Sequence, residues 1–159
     1  MSSSDDSALP DRMFRNGRKL DQKFDAKEKL FQRFSKLSSL KGAIYPNSIR
    51  FPDFSVNREK FSEPLDVLLH DYPNLLKLGV ASFKVKDLPG PQKTGDKKKK
   101  TTYCFKAEHV PLDDNYAHSE VRVYKNGKYS TKTNVAKTIK TKFRIHLANC
   151  IKIEKEVEN

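Results

Sequence analysis

Ala117-His118-Ser119-Glu120-Val121-Arg122-Val123-Tyr124-Lys125-Asn126-Gly127-Lys128 is the stretch on which the reading of the fold turns. Apolar or small residues alternate with polar ones from Ala117 to Tyr124, the period of a strand with one covered face. Asn126-Gly127 then supplies the pair that a two-residue type I′ turn requires, because both central residues need positive φ. A strand over 117–124 and a return strand from Lys128 to Thr131 are expected. Upstream, Tyr103 to His109 alternates in the same way, and the two strands are expected to pair around a Val110–Tyr116 loop.

Side-chain parity assigns faces. Tyr103, Phe105, Ala107 and His109 share the core side with Ala117, Ser119, Val121 and Val123. Cys104, Lys106 and Glu108 share the outer side with His118, Glu120, Arg122 and Tyr124. In the expected register Glu108 faces His118, Lys106 faces Glu120 and Cys104 faces Arg122. The turn sets Tyr124 opposite Tyr129 and Lys125 opposite Lys128.

Val80 to Val85 reads as another strand, followed by a flexible Lys-rich loop over 89–101. Asn134 can cap a helix to about Asn149 that carries Val135, Ala136, Ile139, Phe143 and Leu147 on one stripe. Residues 142–147 also alternate with period two, so a strand there stays open, and Cys150 to Ile153 reads as a final strand. Residues 1–10 are expected as a disordered tail. Residues 11–42 read as an amphipathic helical segment, with one helix from about Leu20 to Leu40 showing Leu20, Phe24, Phe31 and Phe34, stopped by Gly42. Residues 43–64 read as irregular or short extended pieces (Tyr45-Pro46, Phe51-Pro52, then Ser55-Val56-Asn57-Arg58), and Pro64 opens a short helix over Leu65–Leu69. The expected fold is α+β: an antiparallel sheet of four to five short strands with helices packed on one face, forming a compact basic domain over 43–159 behind the N-terminal helix.

The net charge of +12 is local. Residues 91–149 carry +9 of it, and Val121 to Arg144 holds eight basic residues and no acidic one. Such a field favours a polyanion, because each neutralised phosphate releases condensed counterion. No apolar run approaches the ~20 residues that cross a bilayer. The first residues do not read as a secretory signal, and Cys104 and Cys150 match neither a disulfide framework nor a zinc motif. A cytoplasmic protein is the expectation.

These features predict a nucleic-acid-binding protein for DNA or RNA, a non-catalytic component of a larger assembly with protein partners and no cofactor. Lys106, Arg122, Tyr124 and Tyr129 form a sheet face on which bases can stack while cations hold phosphate. Lys98, Lys99, Lys125, Lys128, Lys140 and Arg144 add phosphate contacts. Two alternatives stand beside this reading. One is a nuclease using His109, His118 and Glu120, with or without a divalent metal, although parity sets the two histidines on opposite faces. The other is an adaptor that docks a protein through the N-terminal helix. His70 and His146 read as structural.

Overall fold

Leu30-Phe31-Gln32-Arg33-Phe34 places bulk at both parities, and a segment built this way needs cover on both faces. The computed structural model, which describes residues 9–69, 76–95 and 99–159, provides it by making this segment the interior strand β1 (Lys29–Phe34). The elements that follow are β2 (Leu37–Leu40), β3 (Ala43–Pro46), β4 (Asp53–Arg58), α1 (Asp66–Leu69) and β5 (Gly79–Lys84). After them come β6 (Gln92–Gly95), β7 (Lys100–His109), β8 (His118–Lys125), α2 (Lys137–Ala148) and β9 (Lys152–Lys155). Seven strands form one sheet in the order β6-β7-β8-β4-β1-β5-β9, every neighbour antiparallel. β2 and β3 form a separate two-stranded hairpin.

The inner face of the sheet presents Leu30, Phe54, Val56, Phe83, Phe105, Val121 and Val123 to Ile139, Phe143 and Leu147 of α2. The outer face buries Phe31 and Val80 beneath Val67 and Leu68 of α1. Gly79 sits where Phe34 crosses: a Cβ there would collide with the Phe34 ring.

These observations correct the expected architecture. The sheet has seven strands rather than four or five, and no helix occupies 20–40. The Phe24–Phe31–Phe34 spacing fits a helical stripe, yet Phe31 and Phe34 point to opposite faces of β1, and Phe24 lies in extended chain before it. Gly42 does not stop a helix. With Lys41 it closes the β2–β3 hairpin, at φ 49° and 80°, much as Asn126 and Gly127 close theirs at 52° and 79°. Within 43–64, the short extended pieces at Tyr45-Pro46 and Ser55–Arg58 belong to β3 and β4, the latter paired on both sides inside the sheet. The lysine-rich loop contributes β6, and Lys128 makes only a single bridge to Lys125 instead of opening a strand. Residues 142–147 are helical. The expected disorder over 1–8, and the roles of His70 and Lys98, lie outside the described residues.

Extended chain from Phe14 to Glu28 runs along the sheet as a strap, and Arg58 holds it. The Arg58 side chain is 0% exposed. Its Nε and Nη2 donate to the two Glu28 carboxylate oxygens at 2.9 and 2.8 Å, and it also donates to the Asp21 and Lys23 carbonyls. Phe24 covers the guanidinium at 3.9 Å. Glu28 in turn accepts the Lys60 amide at 3.0 Å. A buried charge pair is tolerable only when satisfied in this way, and removing one partner is what costs most. Arg58→Ala should therefore lower stability by about 3–5 kcal/mol in equilibrium urea unfolding. Arg58→Lys, which keeps charge but loses the planar fork, should fall between Arg58→Ala and the unaltered protein.

Candidate nucleic-acid interface

No acidic residue occurs between Glu28 and Asp53, and none between Glu120 and Glu154. Together these two tracts hold fourteen of the 32 basic residues, and the fold brings them side by side. α2, from the second tract, packs on β3 from the first. Phe143 meets Phe51 edge-on at 5.5 Å. Arg144 lies over the Phe51 and Tyr45 rings at 5.1 and 5.8 Å and donates to the Ile49 carbonyl at 3.4 Å. Among the described residues, Lys29 and Arg122 are the members of these tracts with a carboxylate partner. Lys36, Lys41, Arg50, Lys125, Lys128, Lys132, Lys137, Lys140, Lys142 and Arg144 have none. Local geometry contributes to the crowding, because the Asn126-Gly127 turn bridges Lys125 directly to Lys128. Cations kept together without acids repel one another, and the resulting field attracts an anionic partner.

Lys106, Arg122, Tyr124 and Tyr129 are also brought together, but in a different electrostatic setting. The tyrosine rings lie 5.6 Å apart, with the Lys106 ammonium 4.7 Å from the Tyr124 ring and the Arg122 guanidinium 4.7 Å from that of Tyr129. The expected register is two residues off: Glu108 faces Glu120, Lys106 faces Arg122 and Cys104 faces Tyr124. A slip of two preserves every face and changes every partner. Arg122 consequently bridges Glu120 at 2.8 Å and Glu108 at 3.1 Å. Tyr124 donates its hydroxyl to Glu108, and Tyr129 to Asp53. Burial first, and then these carboxylates, push both phenols above their ordinary pKa. The ring faces and hydroxyls are thus occupied by the protein's own groups, and the local charge is close to balanced. Lys99 immediately precedes β7, on the edge hairpin with β6.

The histidines are separated by the sheet. His109 is 1% exposed and sits between Phe61, stacked at 5.5 Å, and Tyr116, edge-on at 4.8 Å. Its Nε2 donates to the Tyr116 carbonyl at 2.6 Å, while Nδ1 accepts the Asp21 amide of the strap at 2.9 Å. Both nitrogens are committed to the neutral ring. Gln22 fastens the same strand by bonding the His109 amide and carbonyl. His118 lies on the outer face, its Nδ1 donating to the Val110 carbonyl at 2.7 Å and its Nε2 lying 3.2 Å from the Ser55 hydroxyl. Glu120 is held by Arg122, so His109, His118 and Glu120 form no common cluster. Among the described residues no group of three or more His, Cys, Asp or Glu could hold a metal ion.

His118 also borders a cavity of about 230 Å³ on the outer face, a feature that sequence reasoning missed. Beside it, Asn115 Nδ2 donates to Asn57 Oδ1 at 2.8 Å, leaving Asn57 Nδ2 and Asn115 Oδ1 buried without partners. Each such group costs about 1–3 kcal/mol. In the sequence Asn115 is only part of a loop, and Asn57 only part of a short extended piece. Their shared role depends on β4 lying beside β8, which pairs Asn57 with His118.

Burial, the dominant effect, lowers the His109 pKa from its ordinary 6.5; Arg58 and Arg15 lower it further, and the Tyr116 carbonyl and Asp21 oppose them. The unfolded chain therefore takes up this proton first, so the stability supplied by neutral His109 is complete above about pH 6.5 and lost as pH falls toward the folded value. Thermal midpoints should drop between about pH 7.5 and about pH 5.5, and His109→Gln should flatten that part of the profile. Asp21, held at about 2 by Lys60 and the Lys23 amide, acts in a lower window. None of the family models, curated proteins or solved structures compared with this chain matches it.

Proposed function

We propose that this protein binds nucleic acid through the cation-rich surface made by α2, the β2–β3 hairpin and the Lys125–Lys132 turn, and that it reads backbone charge in preference to base sequence. The observation that carries the reading is the juxtaposition of two long acid-free tracts whose cations, Lys29 and Arg122 apart, lack carboxylate partners among the described residues. Lys125, Lys128, Lys140 and Arg144 belong to this surface, with Lys132, Lys137 and Lys142. Arg144 is the member positioned most firmly, because two aromatic rings and the Ile49 carbonyl fix its guanidinium. Arg is suited to phosphate by its forked donors. The tyrosine pair contributes less, since base stacking there has to displace Lys106 and Arg122 from the ring faces. The nuclease alternative loses its histidine pair, and an adaptor docking through an N-terminal helix loses its helix. Among the described residues no helix is long and apolar enough to cross a membrane.

Fluorescence anisotropy with duplex DNA, single-stranded DNA and RNA of equal length tests the reading. The logarithm of the association constant should fall linearly with the logarithm of salt concentration. Removing one phosphate-neutralising cation should reduce the slope by about 0.7–0.9. Lys137→Glu with Lys140→Glu should weaken binding to all three and flatten the slope, whereas Tyr124→Ala with Tyr129→Ala should leave the slope unchanged. Absence of binding at low salt, or an unaltered slope after the charge reversals, overturns the proposal.

A further inference from the structure

The edge of β7 that faces away from β8 is filled at its two ends and open between them. Hydrogen bonds on either side fix which main-chain groups point where. The Val110 N–H donates to the His118 carbonyl and the Asn126 N–H to the Thr102 carbonyl, so the even-numbered residues from 102 to 110 face β8. Phe105 opposes Val123, whose own N–H turns away to the Pro52 carbonyl. Tyr103, Phe105, Ala107 and His109 therefore direct N–H and C=O away from β8. At one end Tyr103 pairs with Gln92, and there the β6 ladder stops. At the other end the Gln22 side chain accepts from the His109 N–H and donates to the His109 carbonyl, both at 2.9 Å. A carboxamide thus stands where a strand residue would. Between these two ends, the main-chain groups of Phe105 and Ala107 have no partner among the described residues.

A groove of about 710 Å³ follows this gap, and Phe105, Lys106, Ala107 and Glu108 all line it. Side chains alternate between faces, so one groove touches four consecutive residues only by running along the strand edge. Phe24, Val85 and Leu88 form its apolar side, on the inner face with Phe105. Lys106 is exposed on the other face, its ammonium over the Tyr124 ring, with no carboxylate partner among the described residues.

We propose that this gap takes an extended peptide from a protein partner, added antiparallel as a strand, with an acidic residue between two apolar ones. The peptide residues opposite Phe105 and Ala107 exchange both main-chain bonds with them and satisfy four unpaired polar groups. Their side chains share the inner face and enter the groove beside Phe24, Val85 and Leu88. The residue between them opposes Lys106, where a carboxylate complements the charge. The edge from Tyr103 to His109 spans about 20 Å at ~3.4 Å per residue, room for about five residues before β6 and Gln22 intervene. A second copy of this chain does not meet the demand. Pairing β7 with its own symmetry mate sets Lys106 against Lys106. The opposite sheet edge, β9, carries Lys152, Ile153, Glu154 and Lys155, with no acid between two apolar residues. None of the cations assigned to phosphate around α2 lines the groove, so the two proposals stand or fall separately.

The test is a nuclear magnetic resonance titration of the full chain with capped seven-residue peptides. They carry valine-glutamate-valine or valine-lysine-valine at the centre, between serine and threonine flanks. In the free protein the Phe105 and Ala107 amides should exchange hydrogen faster than those of Lys106 and Glu108, which face β8. The glutamate peptide should shift the Phe105 and Ala107 amides saturably and slow their exchange. The lysine peptide should bind about fivefold more weakly, and Lys106→Glu should reverse that order. Methylating the main-chain nitrogen of either valine removes a donor aimed at β7 and should abolish binding, whereas methylating that of the glutamate, which points away, should spare it. No saturable response to the glutamate peptide, equal affinity for the two peptides, or undiminished binding after valine methylation overturns the proposal. So does an oligonucleotide that shifts these two amides where the peptide does not. Concentration-dependent dimerisation that protects them overturns it as well, because a second copy is then the occupant.

Discussion

The buried bond between Arg58 and Glu28 is the constraint on which the remaining structure depends. Arg58 ends β4 and Glu28 immediately precedes β1, so their ion pair clamps the entry of β1 against its neighbour. The same guanidinium gathers the carbonyls of Asp21 and Lys23. Extended chain without a ladder of its own leaves its polar groups to be satisfied one at a time. Here Arg58 accepts that task at one end, and His109, Gln22 and Tyr116 continue it toward Met13. The histidine with the look of a catalytic candidate is therefore part of the fastening.

This clamp also bears on how charge is distributed. Acidic residues occur where cations need partners: Glu28 and Asp21 at Arg58, Glu108 and Glu120 at Arg122, Asp66 at Arg12. The hairpin and α2 have no such counterparts. The net charge of +12 is thus unevenly partnered: Arg122 on the outer sheet face is held by two carboxylates, while among the described residues the cations of the hairpin and α2 are not.

Much of the second half is legible in the sequence, because its signals are local. Asn126-Gly127 forms the expected turn, parity sorts β7 and β8 onto the correct faces, and Ile139, Phe143 and Leu147 recur every four residues on the buried side of α2. Register is not legible, since the Leu112–Asn115 bridge within the connecting loop fixes it and a shift of two leaves parity intact. The N-terminal third misleads for a different reason. A strand covered on both sides has no alternation to show, and the phenylalanines of 24–34 fall into helical spacing by coincidence of two unrelated contacts. The acid-free tract between Glu28 and Asp53 is visible in the composition. Its meaning emerges only when the fold sets it against α2.

The position of β1 has a temporal consequence. It precedes every other strand in the chain, yet it is paired on both sides, with β4 and with β5, whose partner β9 lies beyond α2. Its faces stay uncovered until α1 arrives for Phe31 and α2 for the core around Leu30. A topology of this kind closes long loops before its contacts reward them, which makes for slow, late and highly cooperative assembly. A nascent chain of this protein must hold β1, with Leu30, Phe31 and Phe34, in waiting while more than a hundred further residues are made. The strap and the lysines that flank that strand are what it has, in the meantime, to keep neighbouring chains away.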